Sequence, residues 1–262
     1  MGLRSETALR TEPGAASGVS SALILGADDS EGAHDAAALA KVLAPLLEAE
    51  VVPVHANGRG SPARQLYEEA SARHAEVVVL GSSHRGEPGR TAAGKLLRRL
   101  VQDTPSPIAV APRGYADQEI GPPRVIAVAF DDSPESHRAL EFAARLAGTA
   151  SAALRVITVY EGAASDEQPP PGVVTQRALM QEALHRTVAD LPSALRAEPR
   201  FLVGGVAPVL AEQAELGVGL MVLGSRAYGP VRSFWLGSVS EHLIRISPRP
   251  LVITPRGLLA EA

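Results

Sequence analysis

The sequence predicts an α/β protein of two tandem open-sheet modules, the first of them truncated, and three observations carry that prediction. VVVLGSSHRG at Val77–Gly86 returns as LMVLGSRAYG at Leu220–Gly229, and PIAVAPRG at Pro107–Gly114 returns as PLVITPRG at Pro250–Gly257, both 143 residues on. LILGADDS at Leu23–Ser30 and IAVAFDDS at Ile126–Ser133 stand only 103 apart, so 40 residues are missing from the first copy between Ser30 and Gly81. Short apolar runs alternate with stretches of helical periodicity, the pattern of a parallel, doubly wound sheet.

In the second copy Val125–Phe130 is an unbroken apolar run, as a strand covered on both faces requires. Asp131, Asp132 and Ser133 end it. Ser133 as N-cap and Pro134 at the first helical position start a helix whose apolar stripe is Leu140, Ala143, Ala144, Leu146 and Ala147. Leu154–Tyr160 is the next strand, Glu161–Gly172 a proline-rich surface loop, and Val173–Leu191 a helix. A short strand at Arg200–Val203, a helix at Ala207–Leu216, a strand at Leu220–Leu223, a helix at Ser238–Ile246 and a last strand at Leu251–Thr254 complete the module.

The first copy repeats the plan with strands Leu23–Gly26, Val51–His55, Val77–Leu80 and Ile108–Ala111 and helices Glu31–Leu47, Pro62–His74 and Gly94–Gln102. Matching VVPVH with VITVY leaves about 38 residues without a counterpart opposite Glu161–Val203. One helix and one strand are therefore expected to be gone, leaving four parallel strands. An edge strand with its covering helix is the loss a sheet tolerates best, because no central ladder is cut. The expected division is a disordered stretch at 1–20, a degenerate module at 21–114, a linker at 115–123, a complete module at 124–257 and a tail at 258–262.

Composition excludes several classes of function. With 25 Lys+Arg against 29 Asp+Glu the net charge is −4, so no basic field exists to grip nucleic acid. Cysteine is absent, which removes disulfides, thiolate metal sites and Cys nucleophiles and fits a reducing, cytoplasmic setting. No apolar run of about 18 residues suggests a membrane span. Nucleophile-elbow, P-loop and dinucleotide fingerprints are all missing, so a catalytic constellation is not expected; the histidines, His84 among them, lack metal-ligand spacing.

Ligands of an open parallel sheet collect beyond the carboxyl ends of its strands. There the second copy brings Asp131-Asp132-Ser133 near the loop from Gly224 to Val239, whose small residues and following helix start would suit phosphate. Each residue also has a purely structural reading. Asp131 and Asp28 suit turn caps, Gly224 and Gly237 suit tight packing, and Ser238 with Glu241 forms an S-x-x-E capping box.

This loop resembles the glycine signature G-x2-G-x9-G-(S/T) of the universal stress protein family, matched by Gly224, Gly237 and Ser238, with Ala227 in place of the second glycine and Gly229 two residues on. The strand-end DDS and the terminal PLVITPRG are similar to that family too, and the likeness spans nearly all of Ser21–Gly257. The resemblance implies an adenine-nucleotide α-hydrolase-like sheet of strand order 3-2-1-4-5. It also implies ATP, with or without Mg²⁺, held by the first-strand end (Asp131, Asp132, Ser133), the second-strand end (Val159) and the glycine loop (Gly224, Arg226, Ala227, Gly229, Gly237, Ser238, Val239). In the first copy Asp28, Gly81 and Gly94 persist, but His84 replaces the second glycine and Lys95 the Ser/Thr, so the nucleotide is expected in the second module only. The alternative is a nucleotide-free dimerisation scaffold.

Given that strand order, Ile108–Ala111 and Leu251–Thr254 would be open apolar edges. Covering each other by antiparallel pairing would place Ile108, Val110, Val252 and Ile253 at an internal pseudo-dimer axis, with a homo-oligomer of the whole chain left open.

Overall fold

The computed structural model describes residues 21–55, 61–82, 91, 94–118, 121–161, 175–225 and 238–255. The first half runs β1 (Ser21–Ala27), α1 (Glu31–Leu46), β2 (Ala49–His55), α2 (Pro62–Ala72), β3 (Val77–Gly81), α3 (Lys95–Asp103) and β4 (Ile108–Ala111). The second runs β5 (Val125–Ala129), α4 (Pro134–Ala150), β6 (Ala153–Tyr160), α5 (Gln176–Ala189), β7 (Arg196–Val203), α6 (Val206–Glu215), β8 (Leu220–Gly224), α7 (Ser238–Ile246) and β9 (Leu251–Thr254).

Local chemistry sets the helix starts. Ser30, Ser61, Ser133 and Thr175 each cap a helix by accepting a hydrogen bond from the backbone N–H three residues on. Proline occupies the first helical position of α2 and α4, where no intrahelical N–H bond is lost. α4 ends at Ser151 in the left-handed region, φ 50°.

The nine strands among the described residues join one sheet, ordered β2-β1-β3-β4-β9-β8-β5-β6-β7. The second half thus has the order 3-2-1-4-5 and, among the described residues, the first half is the same sheet less one edge strand. Every pairing is parallel except that between β4 and β9, where Ile108 faces Ile253, Ala109 faces Val252 and Val110 faces Leu251. The segment expected as a short strand at Arg200–Val203 is longer, since β7 pairs with β6 along all of Arg196–Val203. Its charged start concealed it: as an edge strand it alternates exposed and part-buried positions and needs no continuous apolar run.

Successive strand residues point to opposite faces, so the sheet feeds two cores. Leu23, Leu25, Val77, Val79, Val128 and Val252 lie under α1, α4 and α5, whereas Ile24, Val78, Leu80, Val110, Met221 and Ile253 lie under α2, α3, α6 and α7. Both cores draw residues from both halves, so the truncated first half completes its burial against the second. Polar contacts also cross between the halves. Arg98 on α3 meets Glu241 on α7 at 2.7 Å, and Arg145 on α4 meets Glu76, just before β3, at 2.7 Å. Buried Thr91 donates its backbone N–H to Ser247 O (3.0 Å) and its hydroxyl to Ile244 O (2.5 Å), capping the carboxyl end of α7. Among the described residues no helix is long and apolar enough to cross a membrane.

Candidate functional site

The carboxyl ends of β5, β6 and β8 open into a cleft of about 610 Å³, at the point where the order switches direction between β5 and β8. Asp131, Ser133, Val159, Gly224 and Val239 all line it, so the structure brings together these five of the residues singled out from sequence. Asp132 does not line the cleft. Its φ of 63° turns it outward, where its carboxylate sits 2.9 Å from His137 Nε2. Arg226, Ala227, Gly229 and Gly237 lie outside the described residues, as does the side chain of Ser238, although Ser238 itself begins α7.

Asp131 holds the turn between β5 and α4. Its Oδ1 accepts from the Ser133 N–H at 3.1 Å and the Ser133 hydroxyl at 2.5 Å, while Ser133 Oγ accepts from the Ser136 N–H at 3.2 Å. The carboxylate, the Ser133 hydroxyl and the Ser136 hydroxyl, which donates to Ser133 O at 2.9 Å, therefore form one linked unit with the first turn of α4 at the cleft edge. Behind it, buried Thr158 donates its hydroxyl to Phe130 O at 2.9 Å, fixing the end of β5 against β6.

Gly224 has a packing reason of its own. A Cβ there would lie 2.8 Å from the backbone carbon, oxygen and Cβ of Glu135, so the glycine lets β8 rest on the start of α4. Glu241, the distal member of the expected capping box, turns to Arg98 of the other half. Ser240 sits over the strand end, its hydroxyl 3.5 Å from Gly224 O.

Several lining residues escaped the sequence reading. Phe130 and Ile157 give the cleft an apolar wall, Gln176 and Met180 reach it from α5, and Glu161 reaches it from the end of β6. Glu161 also accepts from the Val206 N–H at 3.3 Å, serving α6, whose N-cap Gly205 has no side chain to do so. The strand-end rule that pointed to Val159 would have pointed to Glu161. Nothing in the periodicity of α5 marked Gln176 or Met180, because few of its residues are buried.

The matching cleft of the first half measures about 370 Å³ and is lined by Asp28, Gly81, Gly94 and Lys95, with His84 outside the described residues. Asp28 repeats the turn, accepting from the Ser30 N–H at 2.9 Å. Gly81 is still more constrained than Gly224: its Cβ would fall 1.7 Å from Gly32 O. Gly94 caps α3 with no side-chain bond, and Lys95 follows as its first residue. Among the described residues no group of three or more His, Asp or Glu side chains could hold a metal ion.

Comparison with known proteins agrees with this arrangement. The profile of the Universal stress protein family matches residues 8–112 and again 123–255. Universal stress protein Rv2319c of Mycobacterium tuberculosis is 26% identical over 218 residues, covering 78% of this chain and 72% of its own. Universal stress protein Rv1996 of the same species is 32% identical over 151 residues, covering half of this chain and 47% of its own. The crystal structure of a universal stress protein from Archaeoglobus fulgidus DSM 4304 superposes with a TM-score of 0.59 at 17% identity, covering 90% of this chain and 96% of its own, a likeness of fold.

Proposed function

The chain belongs to the universal stress protein family, and we propose that within it the second half binds one adenine nucleotide, ATP by preference, while the first half serves as structural support. The observation that carries this reading is the asymmetry of two clefts built on one plan. The second-half cleft, at 610 Å³, leaves room for a base and sugar between the apolar wall of Phe130, Ile157 and Val159 and the Asp131 carboxylate, whereas the first-half cleft has 370 Å³ and places Lys95 where a hydroxyl would be needed. The amino end of α7, which follows the glycine loop, would present backbone N–H groups and a positive dipole end to phosphates. Mg²⁺ would accompany the phosphates rather than occupy a protein cage.

We read the protein as a binding module without turnover, acting in the cytoplasm as an internal pseudo-dimer joined through β4 and β9. The described cleft is lined by three acids, Asp131 and Glu161, each accepting from a backbone N–H, and Glu135, 3.5 Å from the Arg138 guanidinium, and among the described residues no histidine lines it to act as a base. A second reading, the nucleotide-free scaffold, is favoured by one specific fact: Asp131 and Gly224 each have a structural task that needs no ligand. Calorimetric titration of the full chain with ATP, with and without Mg²⁺, separates the two. A single saturable site, weakened in the Phe130→Ala and Lys95→Ser pair only by the former, is expected. Two equal sites would overturn the assignment to the second half, and absence of binding would favour the scaffold.

A further inference from the structure

The two halves are related by their offsets of 103 and 143, which map Leu39 onto Phe142, Val42 onto Arg145, Glu76 onto Gly219 and Ser106 onto Arg249. At one corner of the joint α4 meets the start of β3, and the space is filled: Arg145 pairs with Glu76 at 2.7 Å and lies over the Phe142 ring at 5.5 Å. At the opposite corner α1 meets the start of β8 with Leu39, Val42 and Gly219, and every side chain that plugs the first corner has been shortened. A cavity of about 520 Å³ remains there, lined in part by the linker residues Gly121–Pro123. No Asp or Glu is among the described residues that line it, and two arginines are, Arg124 and Arg249.

We infer that this corner is a binding site for a small organic acid, with the carboxylate at Arg249 and Arg124 and a hydrocarbon body along Val42 of α1, above buried Leu39 and Leu43. The inference is independent of nucleotide binding, since the strand-end cleft shares none of these residues. Neither arginine is neutralised by a carboxylate among the described residues. The Arg249 Nε–H has only the Ala214 carbonyl, at 3.4 Å. Beside it stands Tyr115, mostly buried and lining the same cavity, which adds a hydroxyl donor. Burial raises the Tyr115 phenol above its ordinary value, and the nearby Arg249 guanidinium opposes that rise, so the phenol keeps its proton at neutral pH. Two guanidinium groups, a phenol and an aliphatic floor match a monoanion with an apolar body better than a sugar, which would lack a charge partner, or a cation, which would be repelled.

Because α1, the linker and the start of β8 and β9 all contribute, such a ligand would be gripped by both halves at once. Sodium octanoate is the probe, titrated into the full chain in a calorimeter, with 1-octanol as its uncharged counterpart. Saturable binding of a single octanoate is expected, with affinity falling about tenfold or more in Arg249→Gln and for 1-octanol, the loss of one charge-assisted contact. Leu39→Phe, which copies the filled corner, should also abolish binding while preserving the fold seen by circular dichroism. Equal affinity for 1-octanol, an unchanged Arg249→Gln, or no saturable heat with the wild-type chain would each overturn the site. Octanoate displaced by ATP would be occupying the strand-end cleft and would overturn it as well.

Discussion

Replacing Gly224 by alanine separates a glycine kept for packing from one kept for phosphate. Gly224 does not lie in the left-handed region, so alanine incurs no backbone strain there, and the cost is steric. The new methyl would stand 2.8 Å from three atoms at the start of α4, two of them backbone, and relief requires that turn to move by roughly half an ångström against a close-packed sheet. Overpacking of this kind costs about 1–3 kcal/mol. Reduced freedom of the unfolded chain returns about 0.4–1 kcal/mol. Taking the middle of each range, the net destabilisation is about 1.3 kcal/mol, which for a chain of this size lowers the melting temperature by roughly 3–5 °C. Gly121→Ala provides the baseline, because a Cβ there meets nothing within 4 Å, so only the reduced freedom of the unfolded chain acts and melting should hold or rise slightly. Differential scanning calorimetry measures all three proteins, and an ATP titration accompanies it. If Gly224→Ala melted with the wild type but lost ATP affinity, the packing account would be refuted and the glycine would belong to the ligand.

Val252→Pro strikes the central antiparallel joint, where β9 has neighbours on both sides, and should cost about 3 kcal/mol or more, read as early proteolysis between the halves. Asp35 is buried and its two carboxylate oxygens accept from the Gly114 and Ala116 N–H groups at 2.9 and 2.8 Å; Asp35→Asn keeps one acceptor and should lower stability by about 1–3 kcal/mol in urea unfolding. Thr91→Val removes the hydroxyl donated to Ile244 while keeping the shape, and a loss of about 1 kcal/mol in the same assay is expected. A double-mutant cycle on Arg98 and Glu241, both partly exposed, should give less than about 1 kcal/mol of coupling, declining with salt.

Much of the architecture was legible because internal repetition does what periodicity alone cannot. An apolar run such as Val125–Ala129 suits a buried strand or a piece of helix, but the same run recurring before DDS at a fixed distance settles its place in a module. The missing edge strand could be located for the same reason. β7 was read too short because Arg196, Glu198 and Arg200 alternate on an exposed edge, where side-chain chemistry is weakly constrained. The candidate site was legible only along the strand ends. Asp131 and Val159 follow from topology, while Gln176 and Met180 reach the cleft through the placement of α5, which no local signal encodes. Adjacency in sequence groups Asp132 with its neighbours, whereas its positive φ turns it away from them.

The antiparallel seam between β4 and β9 also governs how this molecule responds to change. Were two identical subunits to meet there, each substitution would be felt twice, once on either side of the twofold axis, and a charge opposite itself would be met by its own copy. Here the two sides are spelled by different codons. A residue on one side can be exchanged alone, its cost is incurred once, and a complementary partner can arise on the other side; Arg145 with Glu76 is such a pairing, with Val42 and Gly219 standing free of it across the axis. Covalent connection also makes the meeting of the halves a first-order event, so dilution does not dissolve it. Two copies in one chain thus give two surfaces free to differ, and the unequal corners of the joint show that difference.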